Sequence, residues 1–415
     1  MNLKKIILLT IESISVGMIF VYGGLLPVLF PFSIPTWLYY GWFLFLFLFF
    51  SLWGDLNKRL SFIDIVLLFW CAVNIILSDI PAVFSPWSRL LIFSLTLMVI
   101  GGGIYSDNIV AFRKNLLKIF CFLFVAGSVI SFILYSAGIK LTPELAEQNH
   151  GVFNQAMVLG PVAGMSVIFL LKKMLQAGGK IRLLYLGLII VCILTCVLSA
   201  SRSAVAACLL GCSVFIFQIN KKLAMIMIAI FTVLSLFFSV NIADIGENQY
   251  FEKIVEKQEI NEAGGGSFYS REALWEALEN DFRSNPIVGS GFFHISSVNI
   301  LRMTEESIVI EPGSSWFFVL ATLGIVGLII VICVFGNVIV KLQRIKDKKP
   351  EDCFLISLLM FFVFHMFFEG YIFASGSLLG CTVWLVLGVA NDRLLSEIYK
   401  KEPDNKKEKI GSKSR

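Results

Sequence analysis

The chain has 415 residues, of which 57% are hydrophobic and 15% are charged, and its formal net charge is +5. A soluble protein of this length has no room to bury so much apolar surface, so the composition excludes a soluble globular protein. The apolar residues also form uncharged runs, such as residues 39–53 and 183–199. Runs approaching about 20 residues predict membrane-spanning helices, because backbone polar groups in lipid must be satisfied within the helix.

These runs predict an all-α polytopic membrane protein with about 12 transmembrane helices. The first run contains Glu12 and no small-residue cleavage site follows it, so it is interpreted as an uncleaved span. With both termini inside, most of the 34 lysines and arginines fall in inner segments, as the positive-inside rule favours. The predicted spans are residues 6–29, 37–53, 62–79, 90–105, 116–138, 155–171, 183–200, 204–219, 223–240, 314–339, 353–368 and 378–391.

The spans divide the chain into four regions. Spans 1 to 9 occupy residues 1–240, an outer loop follows at 241–313, and spans 10 to 12 occupy residues 314–391. The basic tail, residues 392–415, is predicted to be disordered and to rest on anionic lipid headgroups. All other outer loops are short, and a long loop on one side of the membrane is where function is expected.

Within the long outer loop, residues 270–282 predict an amphipathic helix. Ser270 is its candidate N-cap, and Asn285-Pro286 stops the helix. Its apolar residues at helical spacing are Leu274, Trp275, Leu278 and Phe282.

Arg202 lies in the short turn between spans 7 and 8, at the outer membrane surface. One interpretation is an interfacial arginine that extends to lipid headgroups. The positive-inside rule disfavours an outer arginine, however, and the hydroxyls of Ser201 and Ser203 flank it. A planar guanidinium group grips a diphosphate bidentately, so Arg202 is predicted to bind one, with both serines as substrate contacts.

Two further outer arginines are candidate anion ligands. Arg271 opens the loop helix, where the helix dipole favours acidic residues rather than a cation. Its alternative role is an ion pair with Glu272 or another acid of the loop. Arg302 is a candidate third phosphate ligand.

Two outer acids and one histidine are candidate general bases. Glu311 precedes span 10 and Glu369 lies at the outer end of span 11, both near aromatic residues. A carboxylate at this boundary can have a raised pKa and accept a proton from a sugar hydroxyl. Each acid is equally interpretable as an ordinary interfacial residue or an ion-pair partner. His294 is the third candidate, although a lone loop histidine is more often ordinary surface.

The chain lacks the motifs of metal and nucleotide enzymes. It has no His-Glu-x-x-His spacing, no phosphate loop and no dinucleotide fingerprint. We therefore predict no metal, no cofactor and no nucleic-acid partner. An enzyme of this kind draws its energy from an activated substrate already outside the membrane.

Four segments share their order and spacing with one known family. Residues 198–204 carry a Ser-Arg-Ser-Ala hairpin, and residues 270–292 carry Arg-x-x-x-Trp-x-x-Ala followed by Pro-x-x-Gly-x-Gly, the most specific of the four. Residues 150–161 and 313–329 resemble two span entries, with Gln155-Ala156 in place of the usual Pro-Asn. Together these segments resemble the O-antigen ligase / O-antigen polymerase superfamily of bacterial inner-membrane glycosyltransferases.

The resemblance implies an activity at the periplasmic face of the bacterial inner (cytoplasmic) membrane. Undecaprenyl-diphosphate-linked glycan is the implied donor, and it is transferred without metal by direct inverting displacement. Arg202 and Arg271 match the family's outer arginines, which bind the diphosphate. The implied partners are the lipid-linked glycan, membrane lipid, a flippase and a chain-length regulator.

One departure from the family changes the expected chemistry. Ligases usually carry His-Asn where this chain has Gly313-Ser314, and that histidine is the proposed base. Gly313 cannot accept a proton, so another of the base candidates replaces it, or the leaving diphosphate and the bound geometry carry most of the rate. Ser314 and Ser315 become candidate substrate contacts.

The predicted function is polymerisation of lipid-linked repeat units into surface polysaccharide (O-antigen, capsule or exopolysaccharide), because polymerases vary more at the Gly313 position. A ligase that transfers glycan to lipid A core or another acceptor is the first alternative. A lipid-linked glycan transporter is the second, although its ionisable residues should lie in the middle of the spans.

Overall fold

The computed structural model describes residues 3–26, 29–30, 33–53, 61–80, 85–141, 150–222, 269–294, 301–303, 308–310 and 312–411. Over this part of the chain the protein is a bundle of twelve helices with one short hairpin of two strands. The helices are α1 (Leu3–Gly23), α2 (Thr36–Leu52), α3 (Phe62–Leu77), α4 (Pro86–Val99), α5 (Asp107–Ser136), α6 (Ala156–Gln176), α7 (Gly179–Leu198), α8 (Arg202–Ile219), α9 (Tyr269–Ser284), α10 (Ser315–Gln343), α11 (Pro350–His365) and α12 (Leu378–Gly411).

The helices agree with the predicted membrane character of the chain. Seven described helices are long and apolar enough to cross a membrane, namely α1, α5, α6, α7, α8, α10 and the first part of α12. Three shorter apolar helices, α2, α3 and α4, correspond to predicted spans 2 to 4, and α11 to span 11. Predicted span 9, residues 223–240, lies outside the described residues, so the number of twelve spans stays a prediction.

Two local predictions are wrong. α9 begins at Tyr269, so Ser270 lies inside the helix rather than capping it. α12 continues to Gly411, whereas the tail after residue 391 was predicted to be disordered. Arg393 explains the start of this extension, because its guanidinium group donates to Asp352 of α11 (Nε–Oδ1 2.6 Å) and bonds Glu397 one turn further along α12.

The strands β1 (Leu301–Met303) and β2 (Ile308–Ile310) form an antiparallel hairpin, which was not predicted from the sequence. In its register Arg302 pairs with Val309. The hairpin lies between α9 and α10, within the segment predicted to form the long outer loop.

The bundle has two ends with different chemistry. We call one the Arg202 end, because α8 starts there; residues 24–26 and 152–154 join across it by backbone hydrogen bonds. Ser315 at the start of α10 also bonds residues 366–372 there. We call the opposite one the Arg113 end, where the early turns of α5 meet Asp392 of α12.

α10 is broken in the middle, and another part of the chain completes it. Gly324 has φ 65° and ψ −171°, so the helical hydrogen bonds stop there. Residues 285–291 fill the gap, and a Cβ on Gly289 would lie 2.5 Å from the Gly324 nitrogen, which only glycine avoids. The replacement bonds join Ser290 N to Ala321 O (2.9 Å), Gly291 N to Thr322 O (3.0 Å), Trp70 Nε1 to Leu323 O (3.0 Å) and Ile325 N to Pro286 O (2.9 Å).

This arrangement explains how a membrane helix tolerates irregular backbone. Unpaired carbonyl and N–H groups in the hydrocarbon region each cost several kcal/mol, so a break survives only where protein groups satisfy it. The segment after α9 supplies most of those groups, and Trp70 of α3 supplies one. The same contacts fix the position of α9 relative to α10.

At the Arg113 end, one buried guanidinium group joins several parts of the chain. Arg113 is fully buried and donates five hydrogen bonds, to both carboxylate oxygens of Asp392 and to three carbonyl oxygens. These bonds join α5 and α12 to the last residues of α4 and to the turn after it. The accepting carbonyls belong to Met98, Val99 and Ile104.

Candidate active site

Arg202 is the first residue of α8, and its side chain is exposed at the end of the bundle. The preceding turn is tight, because Ala200 adopts φ 54° and Ser199 donates to the Cys196 carbonyl oxygen (2.7 Å). The turn packs on α6 at Gly160, where a Cβ would lie 2.7 Å from Ser199 Oγ. A larger residue in α6 would therefore push the Arg202 turn away.

Two serines flank this arginine as predicted. The hydroxyls of Ser201 and Ser203 lie 3.3 Å apart, and both residues are half-buried. They are close enough to each other to contact one ligand group. Their role as substrate contacts stays a prediction.

α9 lies against the start of α10, and its predicted apolar face is confirmed. Leu278 is buried and Leu274 and Trp275 are half-buried, whereas Glu276 and Glu279 are exposed. Trp275 Nε1 donates to the Gly313 carbonyl oxygen (3.4 Å), and its ring lies 5.5 Å from that of Phe317. The helix therefore covers the point where the chain enters α10.

Gly313 has a backbone reason to be glycine. Its φ is 63°, in the left-handed region, and a Cβ would lie 3.2 Å from Leu274 Cδ1. A histidine at this position would be strained and crowded by α9. The absence of the family's histidine is thus coupled to how closely α9 packs here.

The hydroxyls of Ser314 and Ser315 are buried and engaged with backbone groups. Ser314 Oγ accepts from Phe317 N (3.3 Å) as the N-cap of α10. Ser315 Oγ donates to the Glu369 carbonyl oxygen (2.7 Å) and accepts from Tyr371 N (3.0 Å). Both serines join the start of α10 to the segment after α11, so they hold the site's framework.

Glu369 lies in that same segment, half-buried at the Arg202 end. Tyr371 follows it and is buried, with its hydroxyl 3.0 Å from His365 Nδ1. Burial, and secondarily the charge of Glu369, raise the pKa of Tyr371 well above its usual range. Tyr371 is therefore a neutral phenol at physiological pH, able to donate a hydrogen bond but not to act as a base.

Sequence reasoning placed His365 within a span and did not single out Tyr371. The tyrosine is six residues along the chain and beyond the end of α11, so helical spacing does not pair the two residues. The signal that points to Tyr371 is its position two residues after Glu369, which brings a phenol beside the candidate base.

His294 is buried in a local turn, away from the exposed surface. Its Nδ1 lies 3.2 Å from the Phe292 carbonyl oxygen, and its own carbonyl oxygen accepts from Ser290 Oγ (3.1 Å). The neighbouring Phe293 ring lies 5.5 Å from the guanidinium carbon of Arg89, an arginine to which the sequence analysis assigned no role. These contacts give His294 a structural role in the segment that completes α10.

For three predicted site residues, the described part of the structure does not include the side chain. Glu311 lies outside the described residues. The backbone places Arg271 in α9 one turn before Trp275, and Arg302 in β1. Their side chains lie outside the described part of the structure, so their roles stay predictions.

Helix packing brings Arg202 and the segment after α11 to the same end. α8 and α11 run in opposite directions and meet at Gly164 of α6, whose Cβ would lie 3.1 Å from Cys208 and 3.0 Å from Phe361. From this layer, Arg202 is about 9 Å along α8 and His365 about 6 Å along α11, at 1.5 Å per residue. Both displacements point toward the Arg202 end. Arg202 and the segment that carries Glu369 therefore lie at the same end of the bundle.

Residues 187–332 match the family model described as O-antigen ligase. The resemblance of this chain to the O-antigen ligase and polymerase superfamily is therefore confirmed. The match covers about a third of the chain and includes Arg202, Arg271, Arg302 and Glu311, whereas Glu369 lies beyond it. The family is associated with membrane glycosyltransferase activity of the ligase or polymerase type, on lipid-linked glycans. No curated protein matches the chain.

Proposed function

We propose that this protein polymerises undecaprenyl-diphosphate-linked oligosaccharide repeat units into surface polysaccharide, at the outer face of the bacterial inner membrane. The observation that carries the proposal is the location of Arg202. It is an exposed guanidinium group within the matched O-antigen ligase segment, at the start of a membrane helix. A lipid diphosphate has its charge at that depth, since its hydrocarbon tail lies in the bilayer and its sugars lie outside.

Arg202 and the start of α8 bind the diphosphate in this proposal. A guanidinium group offers two parallel donors to phosphate oxygens, and a helix N-terminus adds free backbone N–H groups and a partial positive charge. Arg271 is the second anion contact and Arg302 the third. Ser201 and Ser203 offer hydroxyl donors beside Arg202.

In the transfer step, a hydroxyl oxygen of the incoming repeat bonds to the anomeric carbon of the growing chain. The bond from that carbon to the diphosphate oxygen breaks, and the lipid diphosphate leaves with its electron pair. Positive charge at Arg202 stabilises the charge that develops on this leaving group. α9 covers the entry to α10 and keeps water, the competing nucleophile, from the anomeric carbon.

Glu369 is the proton acceptor that we favour among the candidates. It is half-buried at the Arg202 end, whereas His294 is buried in a turn and bonded locally. Tyr371, two residues further along the chain, stays protonated and does not compete with Glu369 for the proton. Ser314 and Ser315 are left out of the substrate contacts, because backbone groups already engage their hydroxyls.

The ligase activity is the second candidate, and the description of the matched family favours it. A ligase uses the same donor and the same diphosphate contacts but transfers the glycan to lipid A core or another acceptor. The left-handed backbone at Gly313, where ligases usually carry the base, favours the polymerase instead. A deletion strain separates them, because loss of a polymerase leaves a single repeat attached and loss of a ligase leaves none.

Purified protein incubated with synthetic lipid-diphosphate repeat units tests the proposal directly. Mass spectrometry is expected to detect products that grow by whole repeats, with release of lipid diphosphate. Growth should fall about 100-fold or more in the Arg202→Ala and Arg271→Ala variants. Growth at the wild-type rate in both variants would sink the site assignment, and absence of growth in the wild-type protein would sink the activity.

A further inference from the structure

A cavity of about 220 Å³ lies at the Arg113 end, on the opposite side of the bundle from the proposed active site. It is enclosed by α5, α6, α11 and α12, and we call it the basic pocket. Nothing in the proposed transfer reaction uses it. Its lining residues are Lys114, Asn115, Leu117, Lys118, Cys121, Phe169, Lys172, Lys173, Gln176, Glu351, Phe354 and Val389.

The charge of this lining is strongly positive. Four lysines face one acid, Glu351, among the residues that enclose the pocket. The buried Lys172 forms a salt bridge with Glu351, with its Nζ 2.5 Å from Glu351 Oε2. Lys114 and Lys118 are exposed at the rim. The pocket therefore keeps an excess of positive charge that an anion would neutralise.

Aromatic rings hold two of the ammonium groups without neutralising them. Lys172 Nζ lies 4.5 Å from the centre of the Phe354 ring, and Lys173 Nζ lies 5.5 Å from that of Phe169. Cation–π contacts of this kind orient a charge without cancelling it, whereas Glu351 neutralises only Lys172. The remaining wall is apolar, formed by Leu117 and Val389 among others.

We propose that the basic pocket binds the phosphate of an anionic phospholipid, with the lysines on the phosphate and the apolar wall against the glycerol and first acyl carbons. Lysine binds phosphate as a point charge, and basic pockets between membrane helices suit anionic headgroups. A small soluble phosphate compound shares the charge requirement. The apolar wall and the position at the ends of membrane helices favour the lipid.

The binding test uses the full-length protein in neutral detergent, with native mass spectrometry as the readout. Three probes are titrated: phosphatidylglycerol, phosphatidylcholine and glycerol 3-phosphate. Retention of phosphatidylglycerol, with little retention of the other two, is the expected result. Equal retention of both phospholipids overturns the anion site. Retention of glycerol 3-phosphate as strong as that of phosphatidylglycerol assigns the pocket to a soluble phosphate compound and overturns the lipid assignment.

Matched double variants separate the pocket from general surface charge. K114Q/K118Q removes two exposed lysines of the rim, and K341Q/K346Q removes two exposed lysines at the same end but outside the pocket. The rim variant should weaken phosphatidylglycerol binding about tenfold or more, and the control about twofold or less. Equal weakening in both variants would assign the effect to surface charge and overturn the proposal. All four residues are exposed, so both variants should unfold at the wild-type temperature.

Discussion

The two ends of the bundle use arginine in opposite ways. Arg113 is fully buried and its guanidinium group makes five hydrogen bonds within the protein, so no donor is left for a ligand. Arg202 is exposed at the first turn of a helix. The comparison teaches that burial, rather than the residue type, distinguishes a structural arginine from one that a ligand can reach.

Arg113→Ala should have the largest effect, and on folding rather than on chemistry. It leaves Asp392 buried without its partner, which costs about 3–5 kcal/mol. The melting temperature in detergent and the yield of folded protein measure this loss. Arg344→Ala removes an exposed arginine at the same end and should leave both unchanged. An Arg113→Ala protein as stable as the wild type would contradict the structural role of Arg113.

Arg202→Ala should act on activity alone. We expect polymer formation to fall about 100-fold or more, equivalent to about 2.7 kcal/mol of lost transition-state stabilisation. The melting temperature should stay within about 1 °C of the wild type, because an exposed side chain contributes little to folding. Arg283→Ala is the control, since Arg283 is an exposed arginine paired with Glu279 in α9. Equal activity loss in both variants would contradict a specific role for Arg202.

Gly324→Ala tests the break that lies between the two ends. A Cβ at this position would lie 2.2 Å from the Ile287 carbonyl oxygen, on a backbone with φ 65°. We expect a loss of about 2 kcal/mol in unfolding free energy and reduced activity, because α9 and the segment after it lose their fixed position. Gly336→Ala in the same helix has no atom within 4 Å of the added Cβ and should be neutral or slightly stabilising. Identical behaviour of the two variants would disprove the role of the break.

Tyr371→Phe should have the smallest effect, and one that depends on pH. Removing the hydroxyl costs about 1 kcal/mol through its contact with His365. The pKa of Tyr371 is raised in the folded protein, so the unfolded chain loses this proton first and wild-type stability falls above about pH 10. Tyr371→Phe should show a shallower fall. Parallel stability curves above pH 10 would argue against the raised pKa.

Much of the fold was predictable from local sequence patterns. The apolar runs gave the positions of α1 to α8 and α10 to α12, because a membrane helix needs a continuous apolar stretch. The helical spacing of Leu274 and Leu278 predicted which face of α9 is buried. The end of α9 at Ser284 followed from Asn285-Pro286.

The site was predictable in part. Sequence position and residue type made Arg202 and Glu369 candidates, and the structure places both at one end of the bundle, while their roles stay predictions. The same reasoning did not reveal that Ser314 and Ser315 are occupied by backbone groups, or that His294 is buried. Such facts depend on residues brought close by packing, as with Ser315 and Tyr371.

By itself, the sequence determined which segments are helical, since apolar runs and residue spacing are local properties of the chain. The charge bias along the chain only predicted which arginines lie on the outer side. Only the tertiary structure decided how those segments complete one another. The apolar pattern predicts one continuous helix at residues 314–339, but that helix is broken at Gly324. Hydrogen bonds from residues 285–291 replace the missing helical ones. Arg113 meets Asp392 across most of the chain length. Such pairs depend on tertiary packing, because the energy of a buried polar group is set by the groups that surround it in space rather than by its neighbours in sequence.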